Sequence, residues 1–456
     1  MGSGSSSAAK RKDVPGEASR SKEKAYFEAA FSEAVIESGI LKRDEIQERL
    51  TTLSTRKVRL GESRSCSFAA LMLRGVYPDE LERPCQDSFV ASEALTSDNA
   101  ANERVHWLQV FDGHGCHGHE VAEFCRDSMP QIAVEFKACE PKATPEELLK
   151  AVHLSVDAEL RSNDGVPTRE SGTTAVSLMT VGDTLYCANV GDSRCVLGVL
   201  ADGAVVKDDK DLEDAKKKKK KETKKTGGRM ECCAGEKQGT SESLVVPKCL
   251  SKDQTFYRAD ERERCVAAGG RIMTLTQAEG GDATVQTGDV ACCDLGAEID
   301  TEGDPPRLFL PGEKDPGCAF SRSIGDDIAK QIGCSAEPEI MRHDLGDDDL
   351  LAVIATDGIW ELLTNQQVLD MCVDAADPLE ACYRAVAEAY QRWNKAEGRV
   401  DDTCIIVCFF DGTKQHKKRL KAAQEHKKKN TRRDNIATPI LANKATDAAP
   451  PKDTTP

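Results

Sequence analysis

The stretch Trp107–His119, WLQVFDGHGCHGH, constrains this chain more than any other. A short apolar run, Val105–Val110, reads as a buried strand and leads into consecutive Asp112, Gly113 and His114, with Gly115 and Gly118 behind them. From Glu120 the pattern turns helical. A carboxylate that leaves a strand into a glycine-rich turn is held by the sheet, while its backbone stays open to a ligand. That suits a hard cation, which takes carboxylate oxygens, carbonyl oxygens and water. A single aspartate of this kind is ordinarily a turn or cap residue. Three more stand in similar places: Asp87 where a strand begins, Asp357 after the apolar run Leu350–Ala355, and Asp401 before the strand Cys404–Phe410.

Carboxylates gathered in one cleft cannot all ionise without cations. Mg2+ or Mn2+ supplies that charge and retains several waters. Two such ions can share a bridging hydroxide and clamp a phosphate for in-line attack. His114 is suited to protonating the leaving alkoxide.

The remainder of the chain sets the frame. Its 456 residues, 39% hydrophobic and 31% charged, allow a sizeable core with much solvated sequence around it. A net charge of −16 argues against a global attraction to nucleic acid. The 19 cysteines include no CxxC pair, and read as reduced thiols of a cytosolic or nuclear protein. No apolar run is long enough for a membrane span, and there is no secretory signal. Residues 1–22 read as a disordered leader. They open Met1-Gly2-Ser3-Gly4-Ser5-Ser6, an N-myristoylation pattern, with Lys10-Arg11-Lys12 close behind. An acyl chain on Gly2 plus that basic patch is a two-signal membrane anchor; the bland alternative is a flexible leader.

Residues 23–60 read as an N-terminal helical extension, with two helices over 23–53 broken at Gly39 and packed against the main domain through Tyr26, Phe27, Phe31, Val35, Ile46, Leu50 and Leu53. Ser67–Leu73 and Asp87–Val90 read as strands, 120–160 as helical with a start at Pro145, and Ser171–Val181 and Thr184–Leu200 as a strand pair joined at Gly182-Asp183. Residues 207–248 hold six consecutive lysines, Lys216–Lys221, and read as a solvated insertion; nuclear targeting or binding to an anionic surface is the sharper alternative. Arg262–Gly270 reads as a helix capped by glycine, 276–317 as a long surface loop, and 365–376 and 378–395 as helices. Between Lys414 and Arg433 there are ten basic residues and one acidic one, within a tail over 412–456 that reads as largely disordered. Short strands with helical blocks between them argue for an α+β domain with stacked sheets.

Seven stretches, in order, now carry a resemblance: Cys85-Gln86-Asp87-Ser88-Phe89, Phe111-Asp112-Gly113-His114-Gly115, Ser171-Gly172-Thr173-Thr174-Ala175, Gly191-Asp192-Ser193-Arg194, Phe320-Ser321-Arg322-Ser323-Ile324-Gly325-Asp326, Thr356-Asp357-Gly358-Ile359-Trp360 and Asp401-Asp402-Thr403. The set resembles the metal-dependent protein phosphatases, the type 2C serine/threonine phosphatases, over a domain at 61–411. The phrase Gly303–Arg307 leading to Pro316–Phe320 is most similar to plant and protist members. The resemblance implies two stacked antiparallel sheets flanked by helices, with metals at one end. It implies that Asp112 bridges two Mg2+ or Mn2+ ions, that the Gly113 carbonyl binds one, that Asp357 and Asp401 bind the other, and that Asp87 joins the shell or holds its water. It makes His114 the general acid, places a third, weaker metal at Asp192 with Asp357, and puts the flap beside the cleft at 276–317. Gln86 stands where many members have an acid, and Cys404 where Ser or Thr is usual. Arg83 lies one residue off the position of the family's phosphate-binding arginine.

The expected activity is therefore hydrolysis of phosphoserine and phosphothreonine in protein substrates by a metal-activated water, in a monomer that is cytoplasmic, membrane-associated if acylated, or nuclear. The alternative is a pseudo-phosphatase that binds phosphoproteins without turnover, although such members usually lose the metal carboxylates. A metallophosphoesterase built on His114, His117 and His119 needs further downstream ligand histidines, and His343, His416 and His426 stand in no suitable motif. His117 and His119 read as loop surface, with a zinc site at Cys116 as the competing assignment.

Overall fold

The computed structural model describes residues 17–61, 64–92, 105–163, 165–201, 245–281 and 304–411. Two antiparallel sheets stack face to face. One runs in the order β1 (Leu50–Arg59), β2 (Ser65–Leu73), β16 (Thr403–Asp411), β15 (Asp349–Ala355), β8 (Arg194–Leu200) and β9 (Val245–Cys249). The other is ordered β13 (Ile324–Gly325), β5 (Gly172–Thr173), β4 (Val105–His114), β6 (Ala175–Val181), β7 (Thr184–Val190) and β14 (Glu339–Asp344), with β3 (Asp87–Ser92) paired to β4. Phe68, Ala70, Leu108, Val110, Val176, Leu197, Ile354 and Ile406 fill the space between them. β15 is buried along its whole length. A strand covered on both faces reads as a continuous apolar run, which is why Leu350–Ala355 was recognisable.

Helices α1 (Glu17–Ala30), α2 (Glu33–Glu37) and α3 (Arg43–Arg49) lie with α10 (Asn365–Val373) and α11 (Pro378–Glu397) outside the first sheet. On the second sheet lie α4 (Gly118–Cys139) and α5 (Pro145–Arg161). The ends follow local chemistry. Thr144 and Glu147 form a capping box ahead of Pro145. Asp377 accepts from Leu379 N–H and Glu380 N–H at the start of α11, which ends at Gly398 with φ of 65°.

Several sequence expectations need correction. Glu17–Lys22 belong to α1, so the leader read over 1–22 is helical from Glu17 onward. The extension at 23–60 is not helical throughout. Leu50–Arg59 is a strand, rich in β-branched Thr51, Thr52, Thr55 and Val58, and pairs with β2. Thr184–Leu200 is two strands in different sheets, because Gly191-Asp192-Ser193 carries the chain across the sandwich. The insertion assigned to 207–248 overlaps β9, whose Val245 is buried. The helix expected at 262–270 is α6 (Ala259–Ala267). Within 276–317 the described parts include α7 (Leu275–Ala278), β11 (Arg307–Phe309) and β12 (Pro316–Cys318); the two strands form a small sheet with β10 (Arg271–Met273). The Gly2 and Lys10-Arg11-Lys12 anchor, the lysine run 216–221 and the tail 412–456 lie outside the described residues. No described helix is long and apolar enough to cross a membrane.

Candidate active site

The four strand-end aspartates converge from both sheets. Asp87 opens β3 and pairs in register with Asp112 of β4. Asp357 follows β15 as the first residue of the short helix α9 (Asp357–Trp360), and Asp401 precedes β16. Crosslinks hold the two sheet ends together. Thr356 Oγ1 donates to Asp87 Oδ2 at 2.8 Å, and Gln86 N–H donates to Asp402 Oδ2 at 2.8 Å. Asp402 Oδ1 accepts from Gly75 N–H at 2.7 Å. The approach is too close for side chains at two points. A Cβ on Gly113 would lie 2.7 Å from the Gln86 carbonyl oxygen, and one on Gly358 would collide with the Asp402 carbonyl.

The electrostatics of this cleft are those of crowded acids. Burial, then the neighbouring carboxylates, push Asp87, Asp112 and Asp357 well above the usual carboxylate range. Asp112 lies within hydrogen-bonding reach of both Asp87 and Asp357. Asp87 Oδ1 is buried without a partner. Two carboxylates so close must share a proton or a cation. An unpartnered buried carboxylate oxygen beside that pair fits the cation. The donor set is all oxygen, which suits Mg2+ or Mn2+.

Asp192, in the crossover between β7 and β8, adds its charge to Asp112 and Asp357; burial and then Asp253 push it up to about 6. Glu361, four residues after Asp357, is raised to about 7 by burial and then by Asp401. Next to Asp192, Arg194 is wholly buried and pairs with Asp253 through Nε at 2.9 Å and a second nitrogen at 2.6 Å. It also donates to Asn365 Oδ1 at 2.8 Å. That clasp fixes the crossover that presents Asp192.

His114 leaves β4 with its ring 4.4 Å from that of Phe320, centroid to centroid, and Nε2 2.6 Å from Asp326 Oδ2. Burial would raise Asp326, but His114, Ser323 and Lys330 outweigh it and hold the carboxyl below its ordinary value. Arg83 lies over the Tyr77 ring, 4.1 Å from its centroid, and donates to Gln86 Oε1. It helps line a cavity of about 870 Å³ that ends at Gln86, Gly115 and Cys116.

All the sequence-derived site residues thus fall around one cleft. Asp402, Thr356, Asp326, Glu361 and Tyr77 had no assigned role. Glu361 carried a readable signal, since residues four apart share a helix face. The zinc assignment at Cys116 gains no compact ligand set. His117 Nδ1 and His119 Nε2 lie 3.4 and 3.7 Å from Glu120 Oε1. Among the described residues, the trio of ligand atoms within 4.8 Å of one another is instead Asp260, Glu261 and Glu339. Arg258, Arg264 and Arg322 already neutralise that trio. The cleft aspartates need not fall within one such sphere, because a two-ion centre spreads its ligands over ions roughly 3.5–4 Å apart.

Comparisons with known proteins show the family. A family model described as Protein phosphatase 2C matches residues 77–217 and 236–398. An Arabidopsis thaliana protein named Probable protein phosphatase 2C 35 is 35% identical over 341 residues, covering 75% of this chain and 82% of its own length. An Oryza sativa subsp. japonica protein named Probable protein phosphatase 2C 64 is 27% identical over 315 residues, covering 68% of this chain and 59% of its own. The crystal structure of serine-threonine phosphatase 2C from Toxoplasma gondii superposes with a TM-score of 0.52 at 15% identity, over 78% of this chain and 99% of that one. A C. elegans sex determining protein gives a TM-score of 0.51 at 16% identity, over 78% and 67%. At such identities the structural likeness is one of fold, two antiparallel sheets flanked by helices. The chain belongs to the protein phosphatase 2C family and is a protein serine/threonine phosphatase.

Proposed function

We propose that this chain removes phosphate from phosphoserine and phosphothreonine in protein substrates, and that Asp112 would be a ligand to divalent ions, Mg2+ or Mn2+, held in the cleft. The Gly113 carbonyl, Asp357 and Asp401 would supply further ligands, and Asp87 would join the shell or hold its water. Asp192 together with Asp357 would hold a third, weaker ion. Bound there, the ions supply a Lewis acid and a water acidified enough to act as nucleophile at neutral pH. The protein does the rest. Asp357 and Asp401 arrive from one sheet and Asp87 and Asp112 from the other, so the sandwich sets their spacing before substrate enters. Arg83 receives the phosphoryl oxygens. His114, held at Nε2 by Asp326, keeps Nδ1 for the proton that the serine or threonine alkoxide takes as it leaves.

The observation that carries this reading is the convergence of Asp87, Asp112, Asp357 and Asp401 from opposite sheets, with Asp87 Oδ1 buried and unpartnered. Turnover of nitrophenyl phosphate and of a phosphothreonine peptide with Mn2+, abolished by Asp112→Ala, is the expected result. A wild-type protein that folds and binds Mn2+ in calorimetry yet turns over neither substrate would establish the pseudo-phosphatase instead.

A further inference from the structure

Tyr77 lies outside every motif that carries the family resemblance, on the segment between β2 and β3. The Val76–Val400 bridge fixes that segment, with Val76 N–H donating to the Val400 carbonyl at 2.7 Å and Val400 N–H returning the bond at 3.0 Å. The Tyr77 ring is thereby laid alongside Asp401. Its O–H donates to Asp401 Oδ1, and Asp402 N–H donates to the same oxygen at 2.8 Å. Both donors fall on Oδ1, which leaves Oδ2 as the oxygen that Asp401 would offer a cation. The face of the same ring carries the Arg83 guanidinium at 4.1 Å. That guanidinium donates to Gln86 Oε1, and Gln86 Nε2 donates in turn to the Gly115 carbonyl at 2.6 Å. Among the described residues that line the cavity ending at Gly115 and Cys116, Arg83 is the cationic one. A single phenol thus touches both the Asp401 carboxylate and the Arg83 guanidinium.

We propose that Tyr77 is a positioning residue with two separable jobs: its O–H aims Asp401 at a divalent cation, and its ring face aims Arg83 at the phosphoryl group. The inference rests on the phosphatase reading of the site. The jobs sit on different parts of the side chain, so phenylalanine removes the first and leucine removes both. A ligand's outer partner fixes its orientation without touching the ion. A guanidinium stacked on an aromatic face loses freedom it would otherwise give up on meeting phosphate.

The test compares full-length wild type, Tyr77→Phe, Tyr77→Leu and Arg83→Lys. Mn2+ is titrated by calorimetry without substrate. KM for nitrophenyl phosphate and the inhibition constant of orthophosphate are then measured at saturating Mn2+. Tyr77→Phe should weaken Mn2+ binding about 10-fold and leave KM and phosphate inhibition unchanged. Tyr77→Leu should show the same loss for Mn2+ and raise KM and the phosphate inhibition constant about three- to tenfold. Arg83→Lys keeps the charge but loses the planar stack. It should raise KM with normal Mn2+ binding, and it decides the second job even where leucine at position 77 prevents folding. Wild-type Mn2+ affinity in Tyr77→Phe overturns the first job, and wild-type KM in Arg83→Lys overturns the second. Mn2+ uptake by a wild type without turnover overturns the phosphatase reading alone; absence of Mn2+ uptake by wild type overturns both.

Discussion

Asp326 meets His114 across 212 positions of sequence, and it does so from an unusual backbone state, with φ of 53°. A non-glycine residue there is uncommon. The state is held by Asp326 N–H donating to the Ser171 carbonyl at 3.0 Å and by the pairing of Gly325 with Gly172. An acid group oriented by a third residue is the arrangement that makes proton transfer efficient. Asp326→Asn should lower kcat for a phosphoserine peptide by about 10- to 100-fold, a part of the usual worth of a general acid. The loss for nitrophenyl phosphate should be smaller, because its leaving group departs with less help from a proton. Equal losses on both substrates, measured at saturating Mn2+, would show that Asp326 does not act through His114. Asp87, Asp112, Asp357 and Asp401 were readable from sequence because each stands at a strand end in its own short motif. Asp326 sat in a matching stretch, but its partner depends on how residues 320–326 run over β5, and no local pattern encodes that.

Elements were readable where burial imposed a single period. β15 and α11 are examples: one is covered on both faces, the other has a cap at each end and a continuous apolar stripe. β1 was misread because Ile46, Leu50 and Leu53 continue a helical spacing, while the strand is decided by its ladder to β2, a tertiary contact. In α5 the buried face carries two titratable side chains, Asp157 and His153. His153 is fully buried, its Nδ1–H donating to the Leu149 carbonyl at 2.7 Å and its Nε2 lying 3.4 Å from Ser177 Oγ. Burial lowers it from 6.5 to about 4, so the folded chain keeps the ring neutral. The unfolded chain takes up the proton first, near its ordinary value. Stability therefore falls as pH drops from about 6.5 toward 4, by roughly 3 kcal/mol over that window for this group. Urea unfolding of wild type and His153→Phe between pH 7.5 and 4.5 checks this. The variant should lose less stability over the interval, and parallel curves would remove His153 from the account.

The whole molecule brings the first and last strands of the domain together, and this was the least legible feature of the sequence. β2 and β16 are neighbours at the centre of the first sheet, and β1 lies beside them, although they come from opposite ends of the domain. Motifs identify a family and hence an architecture, but no local signal states the order β1-β2-β16-β15-β8-β9. The N-terminal helices belong to the same closure. Phe27 and Phe31 stack at 5.2 Å and meet Tyr383 and Tyr390 of α11 edge-on, at 6.4 and 5.9 Å. The Leu41 N–H then donates to Tyr390 Oη at 3.0 Å. One turn after Tyr390 on α11, Trp393 Nε1–H donates to the Gly358 carbonyl at 2.8 Å, next to Asp357. The helices ahead of β1 are thus one wall of the core that seats α9, as their apolar spacing suggested. Phe31 is wholly buried in that wall, so Phe31→Ala should cost about 3–5 kcal/mol, a lost aromatic plus the cavity it leaves. Thermal or urea unfolding measures the loss, while turnover per folded molecule should stay as in wild type because the ring touches no residue of the cleft. An unchanged unfolding midpoint would mean that the N-terminal helices rest on the domain without stabilising it, and that α11 holds Asp357 in place unaided.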